Sequence, residues 1–298
     1  MRNLNQHTIT NAVIERLADT PDPRLKEILT SLVHHLHDFA RKVKLTEAEW
    51  MQGIQFLTAT GQKCDDKRQE FILLSDTLGL SMLTVTLNHD KPAGCTEATV
   101  FGPFHVEGAP HYENGDDVGN GATGEPCDVR GTVRGLDGKP IAGAVLEVWQ
   151  ADSEGHYDVQ YDGLNKHQAR GVLTSDAEGR FNFRTVVAEA YPIPVDGPVG
   201  DMLRATNRHP WRPAHLHFMV RAPGFETLVT HVFRRGDKYL DSDAVFGMRE
   251  SLLGDWVQAP DGSYSLDFDL VLNPQTSTAG QSTPAHAKRK PSAAAQPA

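Results

Sequence analysis

Cysteine is scarce in this chain of 298 residues, with three in all: Cys64, Cys95 and Cys127. An odd, widely spaced set supplies neither a disulfide framework nor a cysteine-based zinc site, and it suits a reducing compartment. Basic charge is also short. Lys and Arg number 29 against 39 Asp and Glu, for a net charge of −10, which argues against a nucleic-acid-binding face. The N-terminal stretch MRNLNQHTITNAVIERLADT has no apolar segment of the kind that directs secretion, so the expected location is the cytoplasm. The greasiest run, from Phe71 to Leu87, is interrupted by Ser75, Asp76 and Gly79 and does not read as a membrane span.

What is present suits a soluble chain large enough for a sizeable core, in one large domain or two of moderate size. Leu25, Ile28, Leu29, Leu32, Leu36, Phe39 and Val43 recur at helical spacing and form an apolar stripe. Thr46-Glu47-Ala48-Glu49 has the form of a capping box and predicts the start of a second helix. A third helical stretch is expected over 67–88, bent near Gly79. From Ala98 to Gly124 the chain is rich in Gly, Pro and Asp and reads as a long ordered loop. The hydrophobic period then changes to two. Strands are expected over 128–134, 144–150, 171–174, 180–187, 215–221, 228–234 and 265–270, punctuated by turns such as Leu136-Asp137-Gly138. Many short strands without intervening helices indicate a β-sandwich. After Leu272 the composition collapses to Pro, Ser, Thr, Ala and Gln, with a short basic run at 288–290, and reads as a disordered tail.

Chemistry concentrates in Arg212-Pro213-Ala214-His215-Leu216-His217-Phe218-Met219-Val220. Side chains two apart on a strand share a face, so His215 and His217 point the same way and form half of a metal site. Two hydrogen-bonded histidines on a half-buried strand would give the same pattern, so partners decide. Upstream, Tyr157 stands just past a strand end and Tyr191 opens the Pro-stiffened loop Tyr191-Pro192-Ile193-Pro194. Taken singly, each tyrosine could equally be a core ring with its hydroxyl bonded. His34, His35 and His37 invite a second metal site on the first helix, but a solvated helix face explains them as well.

Four segments taken together resemble the intradiol ring-cleaving dioxygenases, non-haem iron(III) enzymes of aromatic degradation. They are W-Q-A-D-S-E-G-H-Y, T-S-D-A-E-G-R-F-N-F-R, Y-P-I-P-V-D-G-P and R-H-P-W-R-P-A-H-L-H-F. The resemblance runs from about residue 20 to 272 and implies an α+β protein. A helical dimerisation and linker region (1–97) would precede a β-sandwich catalytic domain (98–272) and the tail (273–298). It implies one Fe(III) per subunit, held by Tyr157, Tyr191, His215 and His217, with Tyr161 as competitor for the first position. A trivalent ion can hold a phenol deprotonated that otherwise titrates near ~10. The resemblance makes Tyr191 the group displaced by the substrate and the acceptor of its proton. It makes Arg212 the residue that stabilises the electron-rich ring. Unbroken alternation would face Arg212 away from His215, so Pro213 must mark a strand start or a bulge.

Within the family, His231 and the segment Y-L-D-S-D-A-V-F-G-M from Tyr239 resemble the branch that opens hydroxyquinol (benzene-1,2,4-triol) rather than catechol. His231 is expected beside the metal as a catalytic group and not as a fifth protein ligand. Asp76 matches the residue expected to meet the third hydroxyl, which needs a polar partner if buried. Leu73, Val100, Phe101, Gly102, Pro103, Phe104, Ile193, Pro194 and Arg212 match substrate-pocket positions. The implied partners are an aromatic 1,2-diol, dioxygen and a second copy of the chain, docked through N-terminal helices that in the family enclose a phospholipid. The implied product is 3-hydroxy-cis,cis-muconate, which tautomerises to maleylacetate. A catechol or chlorocatechol enzyme is the nearest alternative. A transthyretin-like binding module is a distant one that gives no reason for Tyr191, Arg212, His215 and His217 together. A hydrolase or extradiol site would want carboxylate ligands beside histidine.

Overall fold

The apolar stripe becomes α2 (Pro23–Val43), preceded by a short α1 (Ile9–Arg16) and followed by α3 (Glu47–Gln62). The computed structural model describes residues 3–65 and 68–275. Helix α2 starts where Asp22 accepts the backbone N–H groups of Arg24 and Leu25, with Pro23 in the first turn, and stops at Lys44 in the left-handed conformation. The capping box of α3 forms in both directions: Thr46 N–H donates to Glu49 at 2.8 Å and Glu49 N–H to Thr46 Oγ1 at 3.2 Å. Helix α1, which periodicity did not reveal, lies on α2 through Thr10 Oγ1 and His37 Nδ1, 2.9 Å apart.

The chain divides into two compact units, Met1–Ala59 and Thr60–Ala298. In the second, α4 (Glu70–Thr77) and α5 (Leu80–Asn88) are separate helices bent by 78°. Gly79 sits between them at φ 75, a conformation glycine adopts without strain. Among the described residues no single helix is long and apolar enough to cross a membrane.

Twelve short strands follow among the described residues: β1 (Pro126–Gly135), β2 (Val145–Gln150), β3 (Arg170–Thr174), β4 (Arg180–Val186), β5 (Tyr191–Pro192), β6 (Trp211–Arg212), β7 (His215–Arg221), β8 (Leu228–Arg234), β9 (Leu253–Gly254), β10 (Trp256–Gln258), β11 (Tyr264–Asp267) and β12 (Leu270–Leu272). One sheet runs β10-β11-β1-β12 with β4 also on β1, the other β3-β2-β7-β8-β9, and β5 pairs with β6 alone. The expected strand over 265–270 is two strands. Phe268 and Asp269 leave the ladder, and the Phe268 carbonyl fills the space where a Cβ on Gly131 would stand. One helix does interrupt the strands: α6 (Pro198–Ala205), entered at Gly197-Pro198. Asn273 to Gln275, at the start of the expected tail, are hydrogen-bonded to the turn at Gly224 and Glu226. The rest of that tail lies outside the described residues.

Between the two large sheets lies a core of Val129, Val133, Phe181, Phe183, Leu266 and Leu270 against Leu146, Val148, Leu216, Phe218, Val220, Leu228 and Val232. The even-numbered residues of β7 enter this core, so period two sends His215, His217 and Met219 to the opposite face. That face is buried as well, since six of the seven β7 residues are shielded.

Candidate metal centre

Register places the polar side chains on the second face. His217 lies directly opposite Trp149 of β2 on one side and His231 of β8 on the other. The Trp149 ring stacks on His217 at 4.6 Å between centroids, and His231 meets it edge-on at 4.1 Å. Gly102 closes the remaining side. It holds φ 77, and a Cβ there would stand 3.0 Å from the His217 ring, so a larger residue would be strained and would push the imidazole.

Two turns bring the tyrosines. Beyond β2, Asp152 accepts the N–H groups of Glu154 and His156, tightening the turn that delivers Tyr157. Gly155 in that turn has φ 76 and lies so near Tyr191 that a Cβ would meet its Cβ at 3.0 Å. Tyr157 is followed by Asp158, whose carboxylate receives Arg170 Nε at 2.9 and 2.8 Å while Arg170 also donates to the Phe104 carbonyl. This buried pair fixes both the Tyr157 turn and Phe104, which stacks on the Tyr157 ring. Tyr191 opens β5, directly opposite Arg212 of β6. The break at Pro213-Ala214 between β6 and β7 therefore answers the alternation problem: Arg212 belongs to a different ladder from His215.

The result is a buried constellation. Tyr157 Oη stands 2.9 Å from His217 Nε2 and 3.5 Å from Tyr191 Oη, and the two Nε2 atoms of His215 and His217 are 3.1 Å apart. Arg212 Nη1 reaches Tyr191 Oη at 3.4 Å and His215 Nε2 at 3.2 Å. His215 Nδ1 lies 2.7 Å from the Pro213 carbonyl and donates to it, which leaves the Nε2 lone pair facing the centre. His217 Nδ1 is buried without a partner, while His231 receives Arg212 Nη2 at Nδ1, 3.4 Å away, and lies against the Val100 backbone. Burial first, then the nearby Arg212, lowers His215 to about 3; burial and the neighbouring imidazoles lower His217, and burial, His215 and Arg212 lower His231, well below the usual range. Three neutral imidazoles are the state that binds a metal. Their donor atoms lie within 4.8 Å of one another. Burial raises the Tyr157 phenol, and a metal cation beside it would reverse that. The donor set fits a buried metal ion.

Around it, Phe101 and Phe104 join Trp149, Tyr157 and Tyr191 in one apolar cluster, while Leu73, Val100 and Ile193 join Met82, Leu203 and Val245 in another. Pro103 is exposed and Pro194 half-buried. Asp76 is partly shielded; burial raises its carboxyl, and the charges of Arg212 and Asp243 both act on it. Tyr161 is excluded from the constellation, since its hydroxyl donates to Asp152 at 2.5 Å. His35 and His37 are held by Ser31 and Thr10 respectively. Sequence reading gave no role to Asp243, whose carboxylate receives Arg212 Nε at 3.1 Å. It stood in the quoted segment Y-L-D-S-D-A-V-F-G-M, as a second acid before an apolar run. Trp149 and the Asp158–Arg170 pair were missed too.

A β-sandwich with a buried cluster of imidazoles and phenols is compatible with a protein that holds a metal ion between its strands. The family described as "Dioxygenase" matches residues 100–274, and "Catechol dioxygenase N terminus" matches 22–96. The chain is 74% identical over 274 residues to a 6-chlorohydroxyquinol 1,2-dioxygenase of Cupriavidus pinatubonensis, covering 92% of this chain and 99% of that protein. It is 50% identical to a hydroxyquinol 1,2-dioxygenase of Nocardioides simplex, over 90% of this chain and 96% of the relative. A hydroxyquinol 1,2-dioxygenase structure from Pseudomonas putida superposes with a TM-score of 0.86 at 47% identity, covering 91% of this chain and 99% of that one. The chain belongs to the intradiol ring-cleavage dioxygenases.

Proposed function

We propose that the chain is an iron(III) enzyme that opens hydroxyquinol between its adjacent hydroxyls with dioxygen, giving 3-hydroxy-cis,cis-muconate and, by tautomerisation, maleylacetate. The observation that carries this reading is the convergence of two phenol oxygens and two imidazole nitrogens, at 2.9–3.5 Å, in a buried site. Tyr157, Tyr191, His215 and His217 would hold the ion, one per subunit, because anionic oxygen donors favour the ferric state. Bound there, iron(III) would supply a Lewis acid for the deprotonated 1,2-diol and make its ring reactive toward dioxygen.

The chain's own groups do the rest. Tyr191 accepts a proton from the incoming diol at Oη. Arg212 Nη1, beside that oxygen, stabilises negative charge that develops on the ring oxygens. His231, buried between His215, His217 and Arg212, would hold or move a proton beside the bound diol. Asp76 takes the third hydroxyl, and Leu73, Val100, Phe101, Gly102, Pro103, Phe104, Ile193 and Pro194 wall the ring and exclude water. Names of the relatives point to the same triol, in one case chlorinated.

We assign 1–97 to dimerisation and linkage, 98–272 to catalysis and 273–298 to a tail. A homodimer through the N-terminal helices, with room for a phospholipid, is supported by the open apolar face of α2. Three unpaired thiols support a cytoplasmic location. The test is dioxygen uptake by iron-replete protein on hydroxyquinol, its 6-chloro derivative and catechol in parallel, corrected for autoxidation. Stoichiometric uptake on the triols with weak catechol turnover supports the reading. Preference for catechol keeps the iron site and removes Asp76 and His231 from substrate choice. No uptake on any of them overturns it.

A further inference from the structure

Arg212 is fully enclosed in the cluster, and what it meets on its far side is a built device. Asp243 receives Nε at 3.1 Å and Nη2 at 3.4 Å. The same carboxylate receives the backbone N–H groups of Val245 at 3.3 Å and Gly247 at 2.9 Å. To aim both amides at one carboxylate the loop carries Phe246 at φ 60, a region that bulky residues rarely adopt. Gly247 is crowded: a Cβ there would stand 3.0 Å from Thr99 Oγ1, 3.1 Å from Arg212 Nη2 and 3.2 Å from Asp243 Oδ2, so a larger residue would push on the pair. Ala244 N–H donates to the Trp211 carbonyl, tying the loop to the strand that carries Arg212. Four donors, one strained residue and one crowded glycine converge on a single carboxylate.

The consequence is directional. With Nε engaged by Asp243 and Nη2 shared between Asp243 and His231 Nδ1, each at 3.4 Å, the Nη1 edge is the part of the guanidinium left to face Tyr191 Oη and His215 Nε2. The pairing also cancels a positive charge that would otherwise stand bare beside a metal cation. We propose that Asp243 is the positioning residue of this site: it fixes the orientation and the charge that Arg212 presents to Tyr191, and so sets how readily Tyr191 gives up and takes back its place on the iron. The inference rests on the iron reading given above.

The test uses full-length protein reconstituted with Fe(III), in four forms: unsubstituted, Asp243→Asn, Arg212→Gln and the double substitution. Asp243→Asn keeps the shape and one acceptor oxygen but removes the charge. It leaves the buried guanidinium without its counter-charge, so the melting temperature should fall, while iron is retained and the visible tyrosinate-to-iron band shifts. Its kcat should fall by about 10- to 100-fold, the range for groups that orient a metal site from outside its ligands, with KM far less affected. The double substitution should match Arg212→Gln in band position and kcat, because the carboxylate acts through the arginine. An unshifted band with unchanged kcat in Asp243→Asn, or losses that simply multiply in the double form, overturns the proposal. Should Asp243→Asn fail to fold, a folded double form that behaves as Arg212→Gln still supports it. A double form that unfolds where Arg212→Gln folds assigns Asp243 to the fold and overturns it. If the unsubstituted protein takes up Fe(III) without colour, the iron reading itself fails, independently of Asp243.

Discussion

Helix α2 and the outer face of strands β7 and β8 break the inside-outside rule in opposite directions. On α2 no residue is buried, and Leu25, Ile28, Leu32, Leu36, Phe39 and Val43 all lie open, Phe39 at 55% exposure. On the strands, His215, His217 and His231 are at most 1% exposed, with Arg212 beside them at 2%. A chain pays for both departures. Covering an open apolar side chain is worth on the order of 1.5–3 kcal/mol, and an enclosed polar group costs as much or more unless it is partnered. An open apolar face gains if something else covers it, and a shielded polar cluster gains if its groups are partnered. A second surface would meet the first, and a bound ion is compatible with the second.

The largest effect should come from the strand side. His217→Ala removes a donor that lies between Trp149 and His231 and touches Tyr157. We expect loss of the visible band of the ferric protein and a fall in dioxygen uptake of at least about 10³-fold, as when one member of a catalytic unit is removed. Iron content and absorption measured on one sample check it. A coloured, active His217→Ala variant would mean that the strand face is polar for structural reasons only, and the comparison would break at its stronger end.

Next is the ion pair behind Tyr157. Arg170 and Asp158 are both buried, and the guanidinium bonds hold the carboxyl of Asp158 low despite its burial. Arg170→Met leaves that carboxylate only the backbone N–H groups of Val159 and Gln168 and the His167 ring at 3.5 Å, and urea titration should show a loss of about 3 kcal/mol, the lower end for breaking a buried pair. Replacing both partners with apolar residues should recover much of it. If it does, the pair positions Tyr157 and Phe104 more than it stabilises the sandwich, and visible absorption of the double variant will show the difference.

Acid should act on the same face in the metal-free protein. Native His215 titrates at about 3 against an ordinary value of 6.5, and His217 and His231 move in the same direction, chiefly through burial. Between those limits the unfolded chain holds the extra protons, so stability rises with pH there and is lost as pH falls below about 6.5. Above 6.5 these groups contribute no pH dependence. Each histidine should add a slope of about 1.4 kcal/mol per pH unit. The depressed carboxylates, Asp158 and Asp243, add theirs only at lower pH, as it falls through the ordinary Asp range and on to their native values. Denaturant midpoints of metal-free protein from about pH 7 to about pH 5 measure the histidine slope. A flat profile would show that the imidazoles are reached by water, contrary to their enclosure.

What the sequence made legible follows from range. The His215–His217 pair, the two tyrosine turns, the capping box at Thr46 and most strands are local patterns, written within ten residues or so. The whole of β7 and β8 was placed to the residue because alternation and apolar content agree there. What escaped needs knowledge of distant partners. Asp243 looks like one more loop acid until β6 brings Arg212 to it, and Trp149 like any core ring until register sets it on His217. The split at Phe268 depends on Gly131 across the sheet. Helix α6 was missed although Gly197-Pro198 is a fair start signal, because it is short and sits among strands. The pocket residues came from resemblance to a family, which carries distance information that a single chain does not.

The smallest expected effect belongs to the helix side and is the sharpest test of the contrast. Phe39→Ser changes a side chain more than half exposed, so unfolding free energy at low protein concentration should move by no more than about 0.5 kcal/mol. The same change should weaken self-association, since a two-fold contact counts every substitution twice. Sedimentation across a concentration series reads the second quantity and urea titration of dilute protein the first. The two separate if the open face contributes to an assembly and not to the fold of one chain. A loss of about 3–5 kcal/mol in the dilute protein, the figure for truncating a core phenylalanine, would mean that Phe39 is already covered within its own chain. Helix α2 would then be an ordinary core helix, and only the strand face would remain as a surface that requires a partner.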